Sequence, residues 1–520
     1  VIAGGGGRTT GANFTVEATI GEPIASNTQS GGAFAVVGGY WSGQTKANQT
    51  INFAALTNKT LGDAPFAVNA TGGASGNAVT FSSSTQAVCT ISGRIVTILT
   101  IGSCTITGAQ LGNDNFNAAA DMPRSFIIAN STVVTLSQSN YSVNENTGFV
   151  MITVNRRGDL SVPVTIDYAT DDTGSSNICG TLNTGMESSR CGFGLTLGTL
   201  RFAANEATKS FVIPIDQDSY TEGPEVFTVN LSNLTGTGAA LASPSSATVT
   251  INDSAAPAPN ANDDPSAFVR EQYHDFLNRD PDAAGLQFWT NEINSCGSDA
   301  ACREIKRINV SAAFFLSIEF QQTGNLVRSF YVAALNRPAT NNMPALTEFQ
   351  RDTQAMQRGV IIDPNNNAWQ TVLNNNRDAF MRDFVTRAEF VGLYPTTDSP
   401  AQYVDKLYLH AGITPTVSER SDAILEFGSG TTAADPGARG RALVHVTDHS
   451  VFQQREMNRS FVQMEYIGYL RRNPNDAPDG NFAGYDFWVN KLNAFGGNYI
   501  SSEMVKAFIS SGEYRRRFGP

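Results

Sequence analysis

At 520 residues the chain exceeds the roughly 250–300 residues that one hydrophobic core sustains, so roughly three to five domains are expected. A net charge of −12, with no long Lys/Arg block, excludes the electrostatic footprint of a nucleic-acid binder. The longest apolar stretches, such as Phe149–Val154 and Ala312–Leu316, fall far short of the about 18 residues a membrane-spanning helix requires, so no span is expected.

The chain opens at Val1 without Met, a start that removal of a secretion signal produces and that a truncated chain also shows. Six cysteines form three close pairs, Cys89/Cys104, Cys179/Cys191 and Cys296/Cys302. None has the Cys-x-x-Cys spacing of a zinc knuckle, so local disulfides are expected. Disulfides imply an oxidising compartment, and hence a secreted protein of the extracellular space or cell surface.

In chain order, residues 1–44 are a Gly-rich segment with two short β patterns, Phe14–Ile20 and Ala33–Val37. A few short strands make no stable core, so this segment either packs in cis or adds a strand to a neighbouring copy. The residues for such assembly are Phe14, Val16, Ile20, Phe34 and Val36. Residues 45–130 carry QTINFAALTNKTLGDAPF, VTFSSSTQAVCTI and SCTITGAQLGNDNFNAA, and resemble the immunoglobulin-like repeats of large secreted bacterial proteins. Residues 131–254 carry YSVNE at 141–145, VPVTIDYAT at 162–170, DSYTEGPEVF at 218–227 and ATVTIND at 247–253. They resemble a Calx-beta domain, a calcium-binding β-sandwich.

The Pro/Ala/Asn-rich stretch 255–264 reads as an extended, exposed linker. After it, residues 265–520 turn amphipathic and repetitive: FVREQYHDFLNRDPD at 268–282 recurs as LVRSFYVAALNRP at 326–338 and FVQMEYIGYLRRNP at 461–474. Closing elements FLSIEF, FVTRAEF and FISSGEY follow the three copies. These repeats resemble a helical family of secreted bacterial proteins, domain-of-unknown-function family 4214. The fold expected is therefore multidomain, an all-β half of immunoglobulin-like and Calx-beta sandwiches followed by an all-α repeat domain.

The Calx-beta resemblance implies a calcium site at Glu145, Asp172, Asp218, Glu222, Glu225 and Asp253, because Ca²⁺ takes six to eight hard oxygen ligands. Gln217 and Asn252 stand where the family carries further acids, which leaves one loosely held ion or none. His445 and His449 are one helical turn apart, but Val446 replaces the Glu of a zinc-protease helix. Asp280–Gly285 imitates a calcium loop yet fits helix capping better. Trp289 and Trp488, at equivalent repeat positions, read as core anchors, and Arg515–Arg517 as a solvated helix end.

Without a hydrolase or nucleotide signature, the leading expectation is a non-enzymatic structural subunit of an extracellular fibre or lattice, its partner being further copies of itself. The alternatives are a calcium-stiffened monomeric adhesin, for cell-surface or matrix glycans, and an unrecognised secreted hydrolase.

Overall fold

The computed structural model describes residues 7–11, 14–18, 29–31, 34–36, 45–61, 63–129, 132–172, 191–254, 260–338, 342–362 and 366–520. The chain divides into two compact units, Val1–Ser131 and Thr132–Pro520.

In the first unit, Gly7–Gly11 pairs antiparallel with Phe14–Ala18, and Gln29–Gly31 with Phe34–Val36. Phe14, Val16, Phe34 and Val36 thus lie in hairpin strands, and Ile20 falls outside the described residues. Farther on, Gly102–Gln110 buries Cys104, Ile106, Gly108 and Gln110 on one face, the two-residue alternation of a half-buried strand. It lies between Met122–Ala129 and Val79–Ser83 in a four-stranded sheet. Ile51, Phe53, Val96, Ile106, Phe126 and Ile128 fill the core. The Cys89–Cys104 disulfide ties the strand Cys89–Ser92 to that sheet, with Cα atoms 5.8 Å apart.

The second unit opens with a sandwich. Its four-stranded sheet runs Thr208–Pro214, Phe149–Gly158, Thr132–Leu136 and Ala239–Leu241. The facing five-stranded sheet runs Asn140–Asn144, Ser246–Asn252, Glu225–Thr235, Val164–Asp171 and Leu197–Phe202. Strand Val164–Asp171 buries every second residue, and Tyr168 stacks on Phe211 of the other sheet with ring centroids 3.8 Å apart. The sheet's edge at Leu197–Phe202 is not left to solvent. Helix Leu346–Gln357 lies against it, and the Gln354 amide donates to Leu195 O (2.7 Å) and accepts from Leu197 N (3.0 Å), completing the ladder as a strand would.

The helical repeats share one internal device. At corresponding positions Asn278, Asn336 and Arg471 end the first helix of each copy with φ of 49°, 46° and 50°, the left-handed conformation that turns a chain out of a helix. The next residue, Arg279, Arg337 or Arg472, lies over the ring of Tyr273, Tyr331 or Tyr466 at 4.9, 5.4 and 5.2 Å. Its guanidinium then pairs with the Glu of the closing element, Glu319, Glu389 or Glu513, at 2.9, 2.7 and 2.6 Å. Each copy is therefore clasped Tyr–Arg–Glu from its first helix to its last. Glycine makes room: a Cβ on Gly285 or Gly484 would come within 2.2 or 2.6 Å of the Tyr273 or Tyr466 hydroxyl. Trp289 and Trp488 pack on Phe314 and Phe508 with centroids 5.8 Å apart in both copies, as core anchors do. The Cys296–Cys302 disulfide closes the turn before helix Ala300–Leu316. Cys191 is also disulfide-bonded, and Cys179, its expected partner, lies outside the described residues.

Two expectations are corrected. Residues 260–264 do not form an exposed spacer: Asn260, Ala261 and Asn262 are buried, because the Asn260 amide donates to Arg515 O and Gly519 O, and Ala261 N donates to Phe518 O. Nor is the whole of Arg515–Arg517 a solvated end, although Arg516 is exposed as expected. Arg515 pairs with Asp263 at 2.8 Å, and Arg517, 4 % exposed, enters a cluster of carboxylates between sandwich and helices. Sandwich and repeats are one body, and the C-terminal residues help to join them.

Arg279→Ala leaves Glu319, whose side chain is 5 % exposed, without its cation, and should cost about 3–5 kcal/mol. Arg279→Lys should recover only part of this, since an ammonium cannot match the bidentate fork. Urea unfolding of the three proteins checks the order.

Candidate metal centre

Strand register assembles the carboxylates. Asn140–Asn144 runs parallel to Ser246–Asn252 with Asn144 opposite Asn252, so the next residues, Glu145 and Asp253, leave the sheet side by side. Glu225 begins its strand opposite Ile251, two residues before Asp253, at the same end. Asp171 lies opposite Thr228, bringing Asp172 to that end too, where it is buried. The loop after Thr208–Pro214 adds Asp218, whose Oδ1 accepts from Tyr220 N at 2.7 Å, and Glu222, whose N–H donates to Asp253 Oδ2 at 3.1 Å. All six expected residues thus belong to one end of the sandwich, with Glu145, Asp218, Glu222 and Asp253 linked by hydrogen bonds or electrostatic influence. Glu225 Oε2 lies over Gly192, where any Cβ would sit 2.2 Å from it. Asn252 uses its amide to hold Ser142 and Asn144 of the neighbouring strand.

The electrostatics centre on Glu145. Glu145 is 3 % exposed. Burial, then the negative charges of Asp218 and Asp253, push its carboxyl up to about 8, although Ser254 N–H donates to it. Glu145 thus feels the charges of both Asp218 and Asp253, a repulsion that a proton or a cation relieves. A donor set of carboxylates suits a hard divalent ion.

A second cluster went unseen in the sequence. Asp216, Glu271 and His274 place donor atoms within 4.8 Å of one another. Guanidinium groups, however, fill the space that an ion would need. Arg471 reaches Asp216 at 2.8 Å, and Arg517 reaches Asp216 and Glu271 at 3.2 Å and Asp275 at 3.0 Å. Burial drives His274 toward neutrality, but the surrounding carboxylates of Asp216, Asp280 and Glu271 prevail and hold its pKa well above the ordinary value. Burial lifts the Asp275 carboxyl to about 6 against the pull of Arg517 and Arg471. Asp216 is held well below the carboxylate range, its burial being outweighed by Arg471 and Arg517. This is an ion-pair hub joining a sandwich loop, the first repeat helix, the third repeat and the C-terminus. The signal for it was helix Pro265–Leu277, which buries Glu271, Gln272, His274 and Asp275 in a row, more polar groups than an amphipathic face hides without partners.

Elsewhere, His445 Nε2 pairs with Glu426 at 3.0 Å and His449 Nε2 with Glu419 at 3.4 Å, so the two imidazoles serve different carboxylates. Asp282 accepts from Gly285 N at 2.8 Å and caps helix Ala283–Asn294, while Asp280 faces His274 and Arg270.

With this geometry in place, comparison with known proteins assigns two segments. Residues 128–255 match the Calx-beta domain. Residues 248–324 match the domain of unknown function DUF4214, which covers the first helical copy. Over 133 residues the chain is 35% identical to sodium/calcium exchanger 1 of Bos taurus, covering 22% of this chain and 12% of the exchanger. The Rattus norvegicus exchanger is 33% identical over 137 residues, 23% of this chain and 13% of the relative. The apo-form Calx CBD1 domain is 30% identical with a TM-score of 0.20, over 24% of this chain and 98% of that one. The Calx CBD2 domain is 17% identical, also with a TM-score of 0.20, over 24% and 86%. The likeness to the exchangers extends over about a quarter of this chain, and the chain spans only a small part of their length.

Glu145 makes the site pH-dependent. Its folded pKa is raised from 4.5 to about 8, so its contribution to stability is complete below about 4.5 and lost as pH rises through 8. In chelator, wild type should lose stability over this window relative to Glu145→Gln, and calcium should remove the difference. Urea unfolding of both proteins from pH 5 to 9 measures it.

Proposed function

We propose that this chain is a non-enzymatic, calcium-stiffened structural protein of an extracellular or cell-surface compartment, built to associate with copies of itself. The observation that carries the reading is the meeting of Glu145, Asp218 and Asp253 at one end of the sandwich, with Glu145 pushed up to about 8. The likeness of this domain to sodium/calcium exchangers supports calcium as the ion. Glu145, Asp172, Asp218, Glu222, Glu225 and Asp253 would hold it, and its bound charge would relieve their repulsion and fix the loops to the strand ends. Disulfides at Cys89–Cys104 and Cys296–Cys302 suit an oxidising environment. Self-association draws support from the N-terminal hairpins, which among the described residues pair with no other strand and so offer edges for strand addition.

Calorimetric titration of the full chain should give a Kd of roughly 10⁻⁴–10⁻³ M, as in extracellular calcium modules. Asp218→Asn or Asp253→Asn should weaken it tenfold or more. Equal heats from wild type and both variants would remove the calcium assignment. Light scattering and electron microscopy, with and without chelator, test assembly: filaments or sheets that disappear when residues 12–40 are deleted support it, and a monodisperse monomer refutes it.

A monomeric adhesin is the second reading, favoured by one observation. A cavity of about 640 Å³ in the helical repeats is lined by Tyr408, Glu419, Asp422, Arg441 and His445, within the range of small-ligand sites and polar enough for a glycan.

A further inference from the structure

In a chain of net charge −12, one cavity has the opposite sign. It measures about 220 Å³ and opens where the sandwich strands Leu197–Phe202 and Thr208–Pro214 meet the helices Leu346–Gln357 and Ala368–Phe384. The sandwich contributes Arg201 and Lys209, and the helical half Arg351, Arg358 and Arg387. Two carboxylates, Asp352 and Asp383, face these five cations, which leaves an excess of three positive charges.

Both carboxylates are spent on holding guanidiniums in place. Asp352, 2 % exposed, accepts from Arg387 at 2.7 and 2.8 Å, from Arg351 at 2.8 Å and from the Tyr331 hydroxyl at 2.8 Å. Asp383 accepts from Arg201 at 2.7 Å and from Arg387 at 2.9 Å. Arg358 donates to Thr199 O at 3.1 Å and to the Tyr168 hydroxyl at 2.6 Å, both neutral acceptors, so its charge stays uncompensated. Lys209 meets Glu206 at 3.0 Å, a carboxylate that is not part of the cavity lining. With Glu206 counted, two positive charges remain in excess, on forks and one ammonium pre-oriented around a concavity.

We propose that this seam cavity binds an oxyanion head group, a phosphate or sulfate monoester, held by cations of the sandwich and of the helical repeats together. Guanidinium forks match tetrahedral oxyanions bidentately. A volume of about 220 Å³ lies below the ~300 Å³ at which sites for whole small ligands begin, so the cavity takes the charged head and leaves its carrier outside. Because the cations come from both halves, the anion clamps the seam that Gln354 and Arg358 already bridge. The site shares no residue with the carboxylate cluster, so it stands or falls separately from the calcium reading.

The test is calorimetry and thermal unfolding of the full chain with inorganic sulfate and inorganic phosphate, against chloride at matched ionic strength. Glucose 6-sulfate and glucose 6-phosphate then separate the two ester sources. Saturable binding and a raised Tm are expected for at least one inorganic anion and its ester, with affinity reduced tenfold or more in Arg201→Gln/Lys209→Gln. Arg420→Gln, an exposed cation paired with Asp405 elsewhere, should bind as wild type does. If the double variant unfolds, Lys209→Gln alone should still weaken binding several-fold. No saturable binding by any of the four compounds, or undiminished binding by a folded variant, overturns the proposal.

Discussion

The structure of Thr132–Pro520 depends on a buried balance of charge. Asp216, Glu271 and Asp275 are removed from water between sandwich and helices, and Arg471, Arg517 and a proton-holding His274 answer them one for one. Such a hub contributes little net energy over an apolar equivalent, but removing one member strands the rest in a low-dielectric interior. Its effect is therefore on specificity: only one docking of sandwich on helices lets Arg517 reach Asp216 and Asp275 together. Arg471 accepts a left-handed backbone conformation with φ of 50°, where its repeat counterparts have Asn, because its guanidinium is held by Asp216.

The hub also bears on the metal centre. Asp216 and Asp218 belong to the same short loop, the first drawn to the guanidiniums and the second turned toward Glu145. Ser219 N donates to Phe518 O and the Tyr220 hydroxyl to Arg516 O, so the loop that supplies Asp218 and Glu222 is anchored to the far end of the chain. The helical repeats thereby acquire a definite role: they brace the loop end of the sandwich, and their own rigidity comes from the Tyr–Arg–Glu clasp repeated in three copies.

Local features were legible in the sequence. The motifs SCTITGAQ and VPVTIDYAT marked the two sandwiches, close cysteine spacing marked the Cys89–Cys104 and Cys296–Cys302 disulfides, and motif position brought the six carboxylates to one sheet end. The recurring segments marked the three helical copies, though not the pairing of Arg279, Arg337 and Arg472 with a Glu 40, 52 and 41 residues later. The hub was hidden because Asp216 and Arg517 lie 301 residues apart and periodicity reports only neighbours. Composition also misread residues 260–264: Asn260 resembles spacer sequence until the carbonyls it satisfies, Arg515 O and Gly519 O, are brought beside it by the fold. The cation-lined cavity was equally invisible, its five charges being scattered from Arg201 to Arg387.

The claim that sandwich and repeats are one body is tested most directly by hydrogen exchange across a urea series, following peptides from strand Ser246–Asn252 and helix Gly324–Ala334 in wild type and in Arg517→Ala. A single body requires both peptides to open at one midpoint, with the substitution moving both midpoints down together. A sandwich that keeps its own later transition after the helices have opened, unmoved by loss of Arg517, would contradict it.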